Sequence, residues 1–312
     1  MATRERDLWQ VYNDKGKRKV IGMQDELQRV VDNSEEFAGH RVILQTPIGP
    51  KSADQAEAWT KFNRSKERLD NHAEDNGGFV FLFYENRNYL AMRYPELTPA
   101  DTARLLYLAT YVGYGTTRLE HDNGRPITRR QFAELTRLSA SRHSDFVTKM
   151  SRNNILRVSN NAVHLLEPIF YKGSVKEAPM SSGEARHIRL YIKTMRDLFE
   201  NIDARSIGRL ALIYDVLPFV HFEHNILTRN PDEENFDDVV PMSLGELADH
   251  LGFSGAKRMR SALVAARYGD LKVFGIFDDG ADARRRKVVV NPKVIYASNS
   301  ANGLKSLELL FR

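Results

Sequence analysis

The sequence predicts an α+β fold, predominantly helical, with two helix-turn-helix units in tandem behind a small mixed N-terminal segment. The leading observation is an internal repeat, because residues 127–158 align without a gap to residues 242–273, 115 positions later. A second observation is that a strand, turn and strand pattern follows each copy. A third is that an apolar helical stretch precedes each copy, at 101–112 and at 206–220. Together they indicate that one folding unit has been duplicated.

The first helix of each copy is indicated by its N-cap. Thr128 precedes Gln131 by three residues, and Ser243 precedes Glu246 by the same spacing. This is the capping-box pattern, in which two side chains satisfy backbone N–H groups at the start of a helix. We therefore expect a short helix to begin after Thr128 and another after Ser243.

The second helix of each copy is expected after a short turn, with Ser139 and Ser254 as its N-caps. Cationic side chains follow in the first turns, where helix-turn-helix proteins contact base edges. The gapless alignment pairs, in chain order, Arg142 with Lys257, Arg152 with Arg267, and residues 156–158 with residues 271–273.

A β-hairpin is predicted behind each second helix. In the first copy, residues 155–158 and 162–166 flank a Ser-Asn-Asn turn. In the second copy, residues 271–277 and 284–291 flank a longer turn, and the returning strand begins with a basic run. A helix-turn-helix followed by such a hairpin is the winged-helix arrangement, so we predict two winged-helix domains.

The second copy contains an insert before its helix-turn-helix. The helices that precede the two copies are about 105 positions apart, so the connecting loop is ten residues longer in the second copy. The insert is the acidic stretch 232–238, which we expect to be solvated. The predicted divisions of the chain are 1–96, an N-terminal α/β segment without an assigned role; 97–180, the first winged-helix domain; 181–204, a linker helix; and 205–312, the second winged-helix domain with a C-terminal tail.

Further elements are expected outside the repeat. Residues 53–72 are predicted to form a helix, and residues 79–84 and 89–92 an aromatic hairpin. The linker helix carries one apolar stripe over residues 188–202. That stripe packs on one of the modules, which we favour, or forms the seam of a homodimer. The apolar residues in the tail 299–312 dock on the body of the protein or on a partner.

The composition excludes several classes of protein. With 46 basic and 41 acidic side chains, the formal net charge is +5, which alone does not indicate nucleic acid. The absence of cysteine excludes disulfides, thiolate zinc sites and a cysteine nucleophile. The longest apolar runs are too short to span a bilayer, and the first ten residues contain no apolar signal core. We therefore predict a soluble cytoplasmic protein with no membrane partner.

No residue pattern indicates an enzyme. None of the nine histidines is followed two residues later by His, as in metal-dependent nickases, or three residues later by Arg, as in tyrosine recombinases. A glycine-rich phosphate loop is also lacking. His221 and His224 are spaced to share a helix face with Glu223 between them, but no third ligand of comparable spacing follows. We predict no catalytic site, no cofactor and no metal.

Several blocks of the sequence resemble a known group of proteins. The segments LTPADTARLLYLATYVGYG, GRPITRRQFAELTRLS, NNILRV and IFYKG resemble winged-helix proteins carried by plasmids and temperate phages of Firmicutes. In the second half, MSLGELADHLGFS and VVVNPKVIYAS are similar in style. That group includes replication initiators and repressors, and the resemblance covers about residues 97–298. It implies a DNA-binding role and adds nothing about the first 96 residues.

The function that these observations predict is sequence-specific binding of double-stranded DNA at repeated or palindromic sites, by a replication initiator of a plasmid or phage. The first alternative is a plasmid or phage repressor that uses the same contacts. The second is a scaffold whose winged helices pair with themselves or with a replication or phage protein. The side chains expected to contact bases or phosphates are Arg129, Arg130, Ser141, Arg142, His143, Lys149, Arg152, Ser254, Lys257, Arg258, Arg260, Arg267, Arg284, Arg285, Arg286 and Lys287.

Overall fold

The computed structural model divides the chain into two compact units, residues 1–67 and 68–312. The residues that the structure describes are 22, 25–33, 53–84, 89–180, 186–277 and 287–312. In the first unit residues 25–32 are helical, and the helix Ala53–Asp75 begins there, as predicted for residues 53–72. Within the described ranges, no helix is both long and apolar enough to cross a bilayer.

The elements are helices and mostly short antiparallel strands, which confirms the α+β class. The α-helices are α1 (Ala53–Asp75), α2 (Tyr89–Arg93), α3 (Pro99–Ala109), α4 (Arg129–Leu135), α5 (Ala140–Arg152), α6 (Ile192–Asn201), α7 (Leu212–Asp215), α8 (Leu244–His250), α9 (Ala256–Ala265) and α10 (Leu304–Leu309). The 3₁₀ helices are Val175–Glu177, Ala204–Ala211, Leu217–Phe219 and Phe236–Asp238. The strands are β1 (Phe79–Tyr84), β2 (Leu156–Val158), β3 (Val163–Leu165), β4 (Phe170–Tyr171), β5 (Arg186–Tyr191), β6 (Arg267–Tyr268), β7 (Leu271–Lys272), β8 (Phe274–Phe277), β9 (Lys287–Val290) and β10 (Ile295–Tyr296).

A four-stranded antiparallel sheet joins the two halves of the second unit, in the order β10-β5-β1-β4. β1 pairs with β5 along its whole length, from Phe79 opposite Tyr191 to Tyr84 opposite Arg186. All residues of β1 after Phe79 are buried. Burial on both faces explains why this strand is a continuous apolar run rather than an alternating one.

The backbone hydrogen bonds of the first half recur in the second half. The amide of Gly113 donates to the carbonyl of Arg118, and 108 positions later the amide of His221 donates to the carbonyl of Ile226. Three more bonds from an amide to a carbonyl recur in the same way. In the first repeat they are Phe83 to Ile169, Leu119 to Val163 and Ile127 to Leu119; in the second they are Tyr191 to Val294, Leu227 to Val288 and Met242 to Leu227. The structural repeat therefore runs from β1 to β4 and again from β5 to β10, and the preceding helices are offset by 108 rather than 105.

The two repeats face each other across an approximate local two-fold axis. Phe81 lies opposite Arg189 in the antiparallel ladder, and these two residues are themselves 108 positions apart. A Cβ added to Gly208 would lie 3.4 Å from the amide nitrogen of Ala100, another pair with the same spacing. Equivalent residues that face one another define a two-fold relation, since each repeat then offers the same surface to the other.

The repeat begins earlier than the sequence predicted. The sequence predicts residues 79–96 as part of a separate N-terminal segment, but β1 pairs with the β4 strand that closes the first repeat. The predicted linker helix over 181–204 is replaced by the strand β5 followed by the shorter helix α6. Leu190 has its equivalent in Leu82, and both side chains are fully buried in the shared sheet.

Other predicted elements differ in kind or in extent. The second strand of the aromatic hairpin is a helix, α2. The helix predicted at 206–220 is a 3₁₀ segment, the single turn α7 and a second 3₁₀ segment. A short hairpin, β6 with β7, stands between α9 and the predicted wing. The hairpins predicted behind the second helices are present as β2 with β3 and β8 with β9.

The C-terminal tail docks on the body of the second unit. Leu304 and Leu307 of α10 are buried in a cluster with Leu69, Tyr191 and Tyr296. His72 of α1 contacts the same region, because its Nδ1 lies 2.9 Å from Glu308 Oε1. Of the two predicted positions for the tail, the structure therefore supports docking on the body.

Candidate nucleic-acid interface

The first helix of each helix-turn-helix is capped as predicted. Thr128 Oγ1 accepts from the amide of Gln131, and Gln131 Oε1 accepts from the amide of Thr128 at 3.0 Å. Ser243 and Glu246 make the same two contacts, at 3.2 Å and 2.9 Å. Each capping box fixes the start of the helix that supports a second, exposed helix.

The turn between the helices has a left-handed residue in both repeats. It is Arg137 in the first, with φ of 53°, and Gly252 in the second, with φ of 71°. Glycine adopts this conformation without steric cost, whereas arginine does not. In the first repeat, Arg104 fixes the same turn by donating from Nε to the carbonyl of Thr136 at 3.0 Å.

The second helices correspond with an offset of 116, one more than the sequence alignment gave. Ser139 and Gly255 are their N-caps, so the predicted N-cap Ser254 lies one residue too early. The amides of His143 and Met259 donate to these two caps. Arg142 is therefore the counterpart of Arg258, not of Lys257. The turn that ends at Gly255 is one residue longer than the turn that ends at Ser139. A gapless alignment cannot represent this difference.

The alignment also shifts after the second helix. Ile155 donates to the carbonyl of Met150, and Val273 donates to that of Ala266, five and seven residues earlier respectively. The residues aligned from the sequence as 156–158 and 271–273 are therefore not equivalent. The true counterpart of β2 begins at Phe274, and the hairpin β6 with β7 carries the additional residues.

The exposed face of α5 has mixed charge. Phe146 and Met150 are buried, whereas Ser141, Arg142 and Asp145 are exposed. Within the described part of the chain, the guanidinium of Arg142 has no hydrogen bond or ion pair. Arg129 and Arg130 are exposed at the start of α4, and Arg130 lies 3.7 Å from Glu134 in a solvated pair. Such a pair adds little stability and leaves the arginine accessible.

All charged side chains on the exposed face of α9 are cationic. Met259 and Leu263 point into the core, and Lys257, Arg258 and Arg260 are exposed. No acidic residue occurs in this helix. None of the three cations has an ion-pair partner among the residues that the structure describes. Ser254 is exposed in the turn just before the helix.

Two of the predicted contact residues are engaged within the fold. His143 Nδ1 lies 2.9 Å from Thr136 Oγ1, and its ring packs edge-on against Phe132. Burial lowers the pKa of His143, and the charge of Arg129 lowers it further. Lys149 Nζ lies 2.8 Å from Asp101 Oδ2. We therefore leave His143 and Lys149 out of the proposed contact set.

Arg152 makes only a weaker contact. It is the last residue of α5, and its Nη2 lies 3.7 Å from Glu96 Oε1. Its side chain is 69 % exposed, so this contact is a weak surface pair. Its counterpart in the second repeat is Tyr268 rather than Arg267, which is exposed in β6.

The second wing is described only at its base. Residues 284–286, which include the predicted contacts Arg284, Arg285 and Arg286, lie outside the described residues. Lys287 opens β9, is half-buried, and holds its Nζ 6.0 Å from the centre of the Phe236 ring. Phe236 belongs to the acidic insert, which is exposed over residues 234–238.

Both ring nitrogens of His221, near the acidic insert, form hydrogen bonds with the protein backbone. His221 Nε2 lies 2.8 Å from the carbonyl oxygen of Glu233, and its Nδ1 accepts from the amides of Glu223 and His224. Within the described residues, no group of three or more His, Asp or Glu side chains could hold a metal ion.

Two arginines gain importance that the sequence did not reveal. Arg137 links the turn of the first repeat to α6, and Arg209 is exposed beside the end of α9. The sequence predicts only that Arg209 lies in a helix, because its relation to α9 depends on tertiary packing. No sequence signal indicates its role, since the predicted offset of about 105 pairs Arg209 with Arg104, whereas the structural offset of 108 makes the acidic Asp101 its counterpart.

Comparisons of the chain with protein-family models, with curated proteins and with solved structures find no match. The assignment of function therefore depends on the geometry described above.

Proposed function

We propose that this protein binds double-stranded DNA sequence-specifically, with α5 and α9 as the recognition helices of two winged-helix modules. The observation that carries the proposal is that Arg142 and Arg258 occupy equivalent, exposed positions without a carboxylate partner in the described residues. Arginine at the start of such a helix is the side chain best suited to guanine in the major groove.

The order of elements supports the winged-helix assignment. In each repeat a capped helix, a turn, an exposed helix and a two-stranded hairpin follow one another. The hairpin also pairs with a short extended segment that precedes the capped helix in the chain. The β-bridge is Arg118 with His164 in the first repeat and Ile226 with Val289 in the second. A three-stranded wing of this kind holds the second helix against the body.

The approximate two-fold relation supports a site with two inverted half-sites. Two helices related in this way meet a duplex in opposite directions, so each chain reads two neighbouring grooves. The half-sites are expected to differ in sequence, since α9 presents Lys257, Arg258 and Arg260 where α5 presents Ser141, Arg142 and Ser144. We propose a target with two half-sites in inverted orientation but of different sequence. A single chain binds it without forming a homodimer.

Selection of bound duplexes from a random pool tests the proposal. The expected result is an enriched site with two half-sites, bound with an affinity that falls steeply with salt. A scaffold protein, whose modules pair with each other or with a replication or phage protein, would shift no duplex even at low salt. That result would overturn the proposal.

Replication initiation on a plasmid or phage is the biological role that we propose for this binding. The resemblance of several segments to proteins of such elements supports it, and a repressor with the same contacts is the alternative. The two roles differ in outcome, because only an initiator allows a marker plasmid that carries its site to replicate autonomously. Loss of the marker, together with repression of a reporter, would favour the repressor.

A further inference from the structure

A cleft of about 470 Å³ opens at the C-terminal end of α9. It lies between the end of α6, the 3₁₀ helix Ala204–Ala211 and the hairpin of β6 with β7. Its cationic lining residues are Arg209 and Arg267, and its exposed aromatic residue is Tyr268. Neither guanidinium has a hydrogen bond or ion pair within the described part of the chain. The one acidic lining residue, Asp203, accepts from the amide of Arg205 at 2.8 Å.

The same place in the first repeat is occupied by an ion pair. Asp101 is the counterpart of Arg209, and Lys149 is the counterpart of Ala265. Lys149 Nζ and Asp101 Oδ2 are 2.8 Å apart, and Asp101 is buried. In the second repeat the acid has become a cation and the lysine has become a small apolar residue. The exchange leaves Arg209 without an internal partner and leaves space beside it.

The cleft continues the exposed face of α9. Lys257, Ser261 and Val264 are all exposed and recur at spacings of four and three residues, so they lie along one side of the helix. Val264 also lines the cleft. A ten-residue helix is roughly 15 Å long, and a major groove is about 12 Å wide. A helix that enters the groove with its first turn therefore brings the cleft near the sugar-phosphate strand that borders it.

We infer that this cleft binds a phosphodiester of the DNA backbone, held by Arg209 and Arg267, and that the first repeat has no such subsite. The inference rests on the proposed function and assigns to Arg209 a role in it. Guanidinium groups are always charged and match phosphate oxygens with paired donors. A phosphate contact fixes the position of the helix in the groove and carries no sequence information.

The test compares Arg209→Ala with Arg205→Ala in the full chain. Arg205 is exposed on the same 3₁₀ helix but does not line the cleft, which makes it a matched control. Affinity for the duplex selected from a random pool is measured over a series of salt concentrations. We expect Arg209→Ala to lose roughly tenfold in affinity and to lower the salt slope by about one. Arg205→Ala should retain the affinity and slope of the wild type.

Sequence discrimination provides the second measurement. The ratio of affinities for the selected and a scrambled duplex should not change in Arg209→Ala, because a backbone contact weakens both equally. Equal salt slopes in Arg209→Ala and Arg205→Ala would overturn the subsite, and so would equal losses of affinity. If the wild type binds no duplex, the proposed function itself fails. Selective loss of an acidic protein partner in Arg209→Ala, with DNA binding intact, would assign the cleft to protein rather than DNA.

Discussion

Arg137 Nη1 donates to the carbonyl oxygen of Ile202 at 3.1 Å and also to that of Phe199. These carbonyls belong to the last turn of α6 and to its C-cap residue, where backbone acceptors lack partners within the helix and a cation is favoured. The guanidinium also lies 5.9 Å from the centre of the Phe199 ring. The turn between α4 and α5 is thus connected to α6, the first helix of the second repeat.

The first prediction separates the hydrogen bonds of Arg137 from its backbone conformation. Arg137→Ala should destabilise the protein by about 1 to 2 kcal/mol, since it removes charged hydrogen bonds at a partly exposed site. Arg137→Gly loses the same bonds but accommodates the φ of 53° without steric cost. It should therefore be more stable than Arg137→Ala by about 1 kcal/mol. Urea unfolding of the two variants measures the difference, and equal stability would contradict it.

The second prediction concerns the two equivalent arginines of the proposed recognition helices. Arg142→Ala and Arg258→Ala should each cost about 1 to 3 kcal/mol of binding and relax the preference at one base pair. The two base pairs should lie in different half-sites, because the residues belong to different repeats. Repeating the duplex selection with each variant locates them. Relaxation at the same base pair in both variants would contradict the two-fold arrangement.

The third prediction compares the two faces as a whole. Replacing Lys257, Arg258 and Arg260 together with Ala should reduce the salt slope more than replacing Arg129, Arg130 and Arg142. The reason is that α5 also exposes Asp145 and Arg130 lies near Glu134, whereas α9 has no acidic residue. A salt titration of both triple variants on one duplex measures this. A larger decrease of the salt slope in the first-repeat variant would assign the dominant contact to the first repeat.

The fourth prediction tests the basic run of the second wing. Replacing Arg284, Arg285 and Arg286 with Ala should weaken duplex binding and flatten its salt slope, because cations on a wing reach a minor groove or the backbone. This expectation comes from the sequence alone. Unchanged affinity across a salt titration would remove the wing from the interface.

Local sequence rules were sufficient where a few neighbouring residues determine the structure. The capping boxes at Thr128 and Ser243 depend on side chains three residues apart, and both formed as predicted. The wing strands followed from short apolar runs beside turn residues. These features identified the repeat and the two exposed helices.

Features set by tertiary packing were not predictable in the same way. Residues 188–202 fit a helical period, but Ile188 and Leu190 also alternate, and pairing with β1 selects the strand. The extra residue in the turn of the second repeat leaves both helices amphipathic, so the hydrophobic pattern does not indicate the shifted alignment. Lys149 pairs with Asp101, 48 residues earlier in the chain. Arg209 and Arg267 line one cleft although they are 58 residues apart, and only the folded structure brings either pair together.

The last prediction uses the buried carboxyl group of Glu167, whose side chain is 1 % exposed. Burial raises its pKa, while a hydrogen bond from Tyr94 Oη at 2.6 Å and the charge of Arg93 oppose the shift. An acid whose pKa is raised in the folded state stabilises the fold at low pH, and this contribution is lost as pH rises through the folded pKa. Glu167→Gln cannot ionise, so its melting temperature relative to wild type should increase between pH 5 and pH 8. The exposed Glu177→Gln is the control and should show no such trend. A difference that stays constant or falls with pH would mean that the carboxylate is fully compensated by Tyr94 and Arg93.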